Sequence, residues 1–420
     1  MPKNRFLNNA SWLMVSRAIQ LALTFICTML VSRYLGPDEY GKLTYTFSYI
    51  QFFLPLCVLG MNDIAVKELV DNKDENDQIV GTMIILRLIV SVISMVLSVS
   101  IVNLLNNNPI YYHIAFLQSF VLLFQSFDSI IYYFQTNLLG KNVGIVLSIT
   151  YFLTTIFRLF AIYLKKDIMW FAFAMSLDYF ILAILLLLIY YRKNKLHFSF
   201  LRAKQLLKKS YYYVVAGLLV VLYGKVTDTI LLGRMVNDEA VGYYGAATSL
   251  SNAWPFVLTA IIDSASPLIF DLFNKDKEMF NKKLKQLYLA IFYISVVVAI
   301  MIGVLGKIII LILYGDAYLP AVNILRIVAW STGFSYLGVA RIIWMQSHDK
   351  TRYEIIISLF GAITNIILNY FLIKRFNVIG AAIANTLTQF LTNFIFLFVM
   401  KDTRENAKLM LEAILLKGIK

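Results

Sequence analysis

Long apolar stretches run along the chain, and short polar breaks separate them. A helix that crosses the hydrocarbon core of a membrane needs about 20 mostly apolar residues, and twelve stretches meet this requirement. Turn-forming residues stand in the breaks, among them Gly36-Pro37-Asp38 and Asn106–Pro109. The pattern predicts an all-α integral membrane protein with twelve transmembrane helices. Their approximate ranges are 10–34, 41–65, 79–103, 111–137, 143–164, 168–191, 212–233, 241–270, 286–313, 319–346, 354–373 and 378–400.

Composition supports the same class of protein. Apolar residues make up 60% and charged residues 15% of the 420 residues, against about 45–50% and about 25% in soluble chains. The mean hydropathy is +0.73. A soluble core cannot hide so much apolar surface, and no polar break is long enough for a folded soluble domain. These observations exclude a soluble enzyme. The first stretch is longer than the apolar region of a signal peptide, so we expect an uncleaved helix.

The net charge of +14 arises mainly from basic residues in the breaks. With twelve spans, 24 lysines and arginines fall on the side of the two termini and 7 on the opposite side. Cytoplasmic loops of membrane proteins carry such an excess. The sequence therefore predicts a multi-pass protein with both termini in the cytoplasm. It does not indicate a nucleic-acid partner.

Two halves of six spans each are predicted. The motif Arg33–Gly41 (RYLGPDEYG) ends span 1, and Arg234–Gly242 (RMVNDEAVG) ends span 7. Because six is even, the halves would have parallel topology, related by a pseudo-two-fold axis along the membrane normal, with a central cavity between them. We expect bundles at 1–191 and 211–402, a cytoplasmic amphipathic linker at 192–210 and a cytoplasmic tail at 403–420.

Polar side chains within the spans are the candidate site residues, because such residues are costly in lipid unless they face protein or water. Arg17 and Lys225 lie near the middle of the corresponding first helices of the two halves. Lys225 has Asp228 one turn away, so an internal ion pair remains open. Arg17 has no nearby acidic residue, which indicates an anionic ligand or a distant carboxylate. Lys307 and Arg341 lie near span ends and are expected to reach the membrane surface.

The candidates fall into three groups. Cavity cations that bind substrate are Arg17, Lys225, Arg87, Arg158 and Arg326; polar residues that line the cavity are Gln20, Thr24, Gln51, Asn252 and Thr259; carboxylates that couple transport to an ion are Asp228 and Asp263. For residues of the second group, hydrogen bonding between helices is the alternative.

Several chemistries lack their motifs. Cys27 and Cys57 lie in apolar runs, and no Cys/His cluster predicts a metal or haem site. The segment Gly36–Leu43 approaches the phosphate-loop pattern, but its last position is Leu43 and its acidic residues would repel phosphate. We therefore expect no cofactor, no metal and no enzymatic activity.

The motifs of the chain resemble those of bacterial polysaccharide repeat-unit flippases in the multidrug/oligosaccharidyl-lipid/polysaccharide exporter superfamily. The resemblance covers nearly the whole chain. It rests on Asn9–Trp12 (NASW), Arg17, Arg33–Gly41, Asp228, Val241–Gly245 (VGYYG) and Gly380–Ala384 (GAAIA). Arg17 matches a cavity arginine on the first helix of the related lipid II flippases.

The resemblance implies a function in the bacterial cytoplasmic membrane. The implied substrate is an oligosaccharide unit on undecaprenyl pyrophosphate, moved from the inner to the outer leaflet for O-antigen, capsule or exopolysaccharide synthesis. Alternating access is the expected mechanism. Membrane lipids, H⁺ or Na⁺ and polysaccharide assembly proteins are the expected partners. One alternative is a small-molecule or multidrug antiporter of the same superfamily. A membrane glycan polymerase or glycosyltransferase is a further one, although it would be expected to have a large outer loop.

Overall fold

The computed structural model describes the backbone of residues 3–418. The side chains of residues 3–11 and 13–15 lie outside the described part, and with them the Asn9–Ser11 portion of the first motif. Every regular element within residues 3–418 is a helix.

The helices form two runs along the chain. The first comprises α1 (Lys3–Val58), α2 (Met61–Asp71), α3 (Asn76–Leu105), α4 (Pro109–Phe124), α5 (Ser129–Thr136), α6 (Gly140–Tyr163), α7 (Ile168–Tyr190) and α8 (Phe200–Leu222). The second comprises α9 (Lys225–Met235), α10 (Asp238–Ser251), α11 (Phe256–Lys275), α12 (Lys277–Leu313), α13 (Ala321–Val328), α14 (Ser331–Ser347), α15 (Tyr353–Phe390), α16 (Phe396–Val399) and α17 (Arg404–Ile414). Short 3₁₀ turns lie at Lys73–Glu75, Gln125–Asp128, Asp316–Tyr318 and Lys401–Thr403, and a π turn lies at Leu391–Ile395.

Helix α1 holds two membrane crossings. Its 56 residues would extend about 84 Å as a straight helix, far more than the ~30 Å hydrocarbon core. Gly36 breaks it with a φ of 75°, a conformation that glycine adopts readily. Val31 and Leu43 flank this break and share one buried cluster with Phe171. The chain therefore reverses direction between them.

Helix α15 is a second hairpin. Asn377 breaks it with a φ of 50°. Asn369 precedes the break and Asn385 follows it, yet both donate hydrogen bonds to the carboxylate of Asp228. Sixteen residues of straight helix would hold the two asparagines about 24 Å apart. The arms of α15 before and after Asn377 must therefore lie side by side.

Interrupted helices account for the remaining spans. Eight helical segments among the described residues are long and apolar enough to cross a membrane, and the pair α8–α9, bent by 46°, makes nine. The hairpins in α1 and α15 contribute one extra crossing each. Helices α13 and α14 together cover the predicted span 319–346 and account for the twelfth crossing. The described part of the chain thus holds twelve crossings, in agreement with the hydropathy pattern.

The chain divides into two compact units. The first contains the described residues up to Leu35 together with Lys42–Leu218. The second contains Gly36–Gly41 and the described residues from Leu219 onward. Met83 and Leu186 lie in the main core of the first unit. Tyr288 and Trp344 lie in that of the second.

The two repeated motifs meet within the second unit. A Cβ atom placed on Gly41 would lie 1.8 Å from the carbonyl oxygen of Asp238, and one on Gly242 would lie 2.0 Å from that of Pro37. These are the fifth and ninth positions of each motif. The contact is therefore reciprocal, as expected when two equivalent segments pack around a local two-fold axis. Glycine is required at both ninth positions because the backbones touch.

The predicted linker and tail are both packed segments. The backbone N–H groups of Lys195 and His197 donate to Asp77, at the start of α3. Arg202, on the first turn of α8, forms an ion pair of 2.5 Å with Glu75. In the second unit, the Asn406 side chain of α17 donates a 2.6 Å hydrogen bond to the Tyr288 hydroxyl.

Candidate functional site

Asp228 is a fully buried carboxylate at the centre of the second unit. Asn365 and Asn369, one turn apart on the first arm of α15, donate amide hydrogens to Oδ1 at 3.0 and 2.8 Å. Asn385, on the second arm, donates to Oδ2 at 2.8 Å. The Tyr244 hydroxyl of α10 donates to the same oxygen. Residues from α9, α10 and both arms of α15 therefore converge on one acidic group.

These four donors satisfy the carboxylate of Asp228 without neutralising it. A buried charge needs a hydrogen-bonded partner of opposite charge or a bound ion to offset its desolvation fully. Lys225 is half-buried one turn away and contributes to the electrostatic environment of Asp228. Among the ion pairs of the described residues, however, none joins the two side chains within 4.0 Å. The direct pair that the sequence left open is thus absent from this arrangement.

Asn365 and Asn369 add unused oxygen acceptors beside Asp228. Both Oδ1 atoms are buried and have no hydrogen-bond partner among the described residues. Carboxylate and amide oxygens are ligands for hard monovalent and divalent cations. The cluster can therefore take up a proton on Asp228, or present several oxygens to a small cation after rotation of the amides.

Asp263, the other candidate for ion coupling, has a different environment. It lies on α11, where it is exposed. Asn252 and Thr259 are also exposed. The Thr259 hydroxyl donates to the backbone oxygen of Pro255 and to Tyr336, each at 3.4 Å.

Arg17 is exposed on the surface of the first unit. Within the described residues it makes no hydrogen bond and no ion pair, and its positive charge reaches the Tyr132 hydroxyl. Gln20, on the next turn of α1, donates a 2.7 Å hydrogen bond to the Tyr151 hydroxyl. Thr24 is exposed on the same helix, and Gln51 is half-buried after the break at Gly36.

Arg87 is buried, with 1% of its surface exposed. It donates to the Ser129 hydroxyl at 2.8 Å and to the backbone oxygen of Gln125 at 3.0 Å. Asn62 accepts a longer bond of 3.4 Å. Gln125 begins the 3₁₀ turn that separates α4 from α5, and Ser129 follows it. The guanidinium therefore stabilises an interrupted span, a contact different from the predicted one with substrate.

Arg158 forms an ion pair with Asp178 across α6 and α7. Its two terminal nitrogens donate to the two carboxylate oxygens at 3.1 and 2.6 Å. One of them also reaches the backbone oxygen of Ala174 at 3.2 Å. Arg326 is exposed on α13 and donates to the backbone oxygen of Gly303 at 3.0 Å. Protein groups thus bind the guanidiniums of Arg158 and Arg326, two of the predicted cavity cations.

Arg341 is a buried arginine that the sequence analysis did not select as a site residue. It is 3% exposed. Its guanidinium donates to both carboxylate oxygens of Glu354, at 3.0 and 2.8 Å, and to Asn393 Oδ1 at 3.3 Å. The sequence did hold a usable signal: Arg341 precedes the loop between spans 10 and 11 and Glu354 follows it, so an antiparallel hairpin brings them together.

Metal-binding side chains do not cluster in the described part of the chain. No group of three or more His, Cys, Asp or Glu side chains within it is arranged to hold a metal ion. Any cation at Asp228 would therefore depend on amide, hydroxyl or backbone oxygens.

A family model described as "Polysaccharide biosynthesis protein" matches residues 6–273. The chain belongs to this family. A second model, MatE, matches residues 213–371. Among curated proteins, the chain is similar to "Probable flippase AglR" of Haloferax volcanii, with 32% identity over 174 residues. That match covers 38% of this chain and 34% of the relative, so it spans about a third of the relative's length.

Two solved structures have the same fold. The lipid II flippase MurJ, in an inward closed conformation, superposes with a TM-score of 0.76 at 15% identity, over 96% of this chain and 90% of that one. An inward-facing multidrug resistance MATE family transporter of the MOP superfamily gives 0.74 at 12% identity, over 95% and 99%. The predicted all-α, twelve-span membrane fold and the predicted superfamily are confirmed. This member of the polysaccharide biosynthesis family is a multi-pass membrane protein.

Proposed function

We propose that this protein is a flippase for lipid-linked oligosaccharides. It would move undecaprenyl-pyrophosphate-linked repeat units from the inner to the outer leaflet by alternating access, for O-antigen, capsule or exopolysaccharide synthesis. The family match supports this assignment, as does the similarity to AglR and MurJ, which are both described as flippases. The protein would act as a transporter and not as an enzyme.

The observation that carries the proposal is the state of Arg17. An arginine in a membrane-spanning helix is costly unless it faces water or an anion. Arg17 is exposed and is not held by the described residues, unlike Arg87 and Arg158. A pyrophosphate headgroup carries about two negative charges that need compensation. Arg17 is thus available to a pyrophosphate, and we propose Lys225 as a further substrate-binding cation.

The test uses glycan export together with membrane insertion. Arg17→Ala should abolish export while the protein inserts at its normal level, and Arg17→Lys should recover part of it. Lys307→Ala is the matched control, because Lys307 is an exposed in-span cation near a helix end. Normal export by Arg17→Ala would remove the basis of the proposal.

Ion coupling at Asp228 forms the second part of the proposal. The carboxylate would bind H⁺ or Na⁺ in one state and release it in another, so that an ion gradient drives the cycle. Asp228→Asn keeps the shape of the side chain but removes the charge, and should abolish the dependence of export on the gradient. Asp263→Asn serves as the comparison because Asp263 is exposed. Unchanged ion dependence in Asp228→Asn would contradict this role.

A multidrug or other small-molecule antiporter is the second candidate. The MatE match over residues 213–371 and the MATE-like fold favour it. Cationic drugs would be repelled by Arg17, whereas a pyrophosphate would be attracted. Drug-resistance assays of the same Arg17→Ala variant separate the two functions, because removing the cation should weaken glycan export and not drug efflux.

We propose that the protein lies in the cytoplasmic membrane with both termini inside, and associates with polysaccharide assembly proteins. The excess of basic residues on one side supports this orientation. A cysteine placed at Asn107 should react with an impermeant reagent from outside, and one at Lys204 only from inside. The opposite labelling pattern would invert the topology.

A further inference from the structure

Four buried oxygen atoms without partners lie on the two arms of α15 and on the π turn that follows its second arm. They are Asn365 Oδ1, Asn369 Oδ1, Thr388 Oγ1 and Thr392 Oγ1, and none has a hydrogen-bond partner among the described residues. All four residues are at most 1% exposed. Buried polar atoms in proteins are rarely left unsatisfied, and such atoms commonly indicate water or an ion. Four such atoms on neighbouring helix segments are the pattern expected where water or an ion binds.

The polar residues form one continuous seam. On the second arm and the π turn that follows it, polar residues recur at the spacing of a single helix face: Asn385, Thr388, Gln389, Thr392 and Asn393. This face runs about 12 Å along the helix axis from Asn385 to Asn393. The seam therefore begins at a residue bonded to Asp228 and leads away from it.

The first arm of α15 faces this strip. A Cβ atom on Gly361 would lie 3.0 Å from Thr392 Cγ2 and 3.1 Å from its hydroxyl oxygen. Gly361, Asn365 and Asn369 share a helix face, since they lie four residues apart. Both arms thus turn small or polar residues toward each other. Small and polar residues let two helices pack closely, whereas an ionisable residue inside a membrane, here Asp228, commonly marks an ion pathway.

Arg341 and Glu354 stand at the far end of the seam. Asn393 donates a 2.8 Å hydrogen bond to Gln389 Oε1, and its own oxygen accepts from Arg341. The Arg341 side chain is 4% exposed, whereas that of its partner Glu354 is 27% exposed. The hydrogen bonds from Gln389 through Asn393 and Arg341 therefore lead from the buried interior to the partly exposed carboxylate of Glu354.

We propose that the seam between the arms of α15 opens to water during the transport cycle and then carries the coupling cation between Asp228 and the membrane edge at Glu354. This inference rests on the ion coupling proposed above. Glu354 acts as a positioning residue, because its carboxylate neutralises Arg341 at the mouth of the path. Without that neutralisation, the fixed positive charge of Arg341 would repel an entering cation.

Silver ions test the path directly, because Ag⁺ is a small monovalent cation that reacts with thiols. Single cysteines are placed at Thr388 and Thr392 in the full chain, with Cys27 and Cys57 replaced by serine. Membrane vesicles are exposed to Ag⁺, and the thiols that remain are counted with a fluorescent maleimide after denaturation. Thr386→Cys is the matched control, because the Thr386 hydroxyl donates to Ile327 and Ala382 backbone oxygens, outside the seam.

Cysteines at positions 388 and 392 should react at least tenfold faster than the control at 386. Glu354→Gln should slow both reactions at least tenfold, and Arg341→Gln combined with Glu354→Gln should restore them to within threefold. The double variant separates charge from structure, because a loss of fold would not be rescued by a second substitution. Size-exclusion chromatography checks that each variant is folded.

Equal reaction rates at positions 386, 388 and 392 would overturn the path, and so would a Glu354→Gln variant that reacts at the parent rate. The labelling does not require transport, so its result is independent of substrate. Two results together would refute this route alone: the cysteines at 388 and 392 are not labelled faster than the control, and export by Asp228→Asn loses its ion dependence. Ion coupling at Asp228 would then stand, and only the proposed path would be wrong. Successful labelling with unchanged ion dependence in Asp228→Asn would refute the assignment of the seam to the coupling cation.

Discussion

The ion pair of Arg158 and Asp178 makes it possible to test whether Arg158 has a structural role or binds substrate. Arg158→Ala removes two charge-assisted hydrogen bonds and leaves the Asp178 carboxylate without a countercharge. Breaking a buried pair in this way costs about 3–5 kcal/mol. The side chains are 14% and 17% exposed, so water partly screens the remaining charge. We therefore expect a loss at the lower end, about 3 kcal/mol, or roughly a 150-fold change in the unfolding equilibrium constant.

The double variant decides the interpretation. Arg158→Met with Asp178→Leu removes both charges and keeps apolar volume, and such replacements of buried pairs are often neutral or stabilising. We expect it to unfold within about 1 kcal/mol of the parent protein and to retain glycan export. The assays are reversible unfolding in mixed detergent micelles and export in cells. A stable Arg158→Ala variant that fails to export, together with an inactive double variant, would refute the structural role and favour the predicted substrate contact.

Two further substitutions probe contacts outside the proposed site. Gly41→Ala should destabilise the protein strongly, because the new methyl group would lie 1.8 Å from a carbonyl oxygen, whereas Gly303→Ala, with nothing within 4 Å, should unfold like the parent in the same assay; equal stability of the two variants would contradict the reciprocal turn contact. Just before the tail, the hydrogen bond from the Tyr353 hydroxyl lowers the pKa of Asp402 from its ordinary value of 3.8, and Lys350 and Arg352 lower it further. Because the pKa of Asp402 is lowered in the folded state, its ionised contact contributes stability above pH 3.8, and this stability is lost as the pH falls through the lowered pKa. Tyr353→Phe should therefore speed hydrogen exchange in residues 401–414 at neutral pH and have no effect once Asp402 is protonated.

Much of the fold was readable from the sequence because lipid imposes a simple rule on it. Each crossing needs a long apolar run, and backbone groups in lipid must be satisfied within the helix, so hydropathy alone gave twelve helices. Breaks within spans were less accessible. The interruption at Gln125–Asp128 depends on Arg87, which lies on a different helix and donates a hydrogen bond to the backbone oxygen of Gln125. A contact between distant segments leaves no periodic pattern in the chain.

The site was predictable only in part, for a related reason. Asp228 could be selected because an acidic residue within a span is rare and costly. Its partners Asn365 and Asn369 lie well over a hundred residues away, and asparagine within a span is common enough to be read as helix packing. The sequence also did not predict that Arg158 is paired with a carboxylate whereas Arg17 has no such partner among the described residues. Both are arginines within spans, and only the packing of α6 against α7 places Asp178 beside one of them.

Asp178 and Asp228 resolve the same electrostatic problem in different ways, and this contrast bears on their roles. Asp178 meets a guanidinium in a bidentate pair, so its charge is cancelled within the protein. Asp228 is more deeply enclosed, yet its four hydrogen-bond donors are neutral. Hydrogen bonds stabilise a carboxylate but leave its net charge, which a low-dielectric interior makes expensive. A bound proton or monovalent cation would cancel that charge, and its departure would restore it. Asp178 therefore has no electrostatic reason to exchange an ion during a transport cycle, whereas Asp228 does.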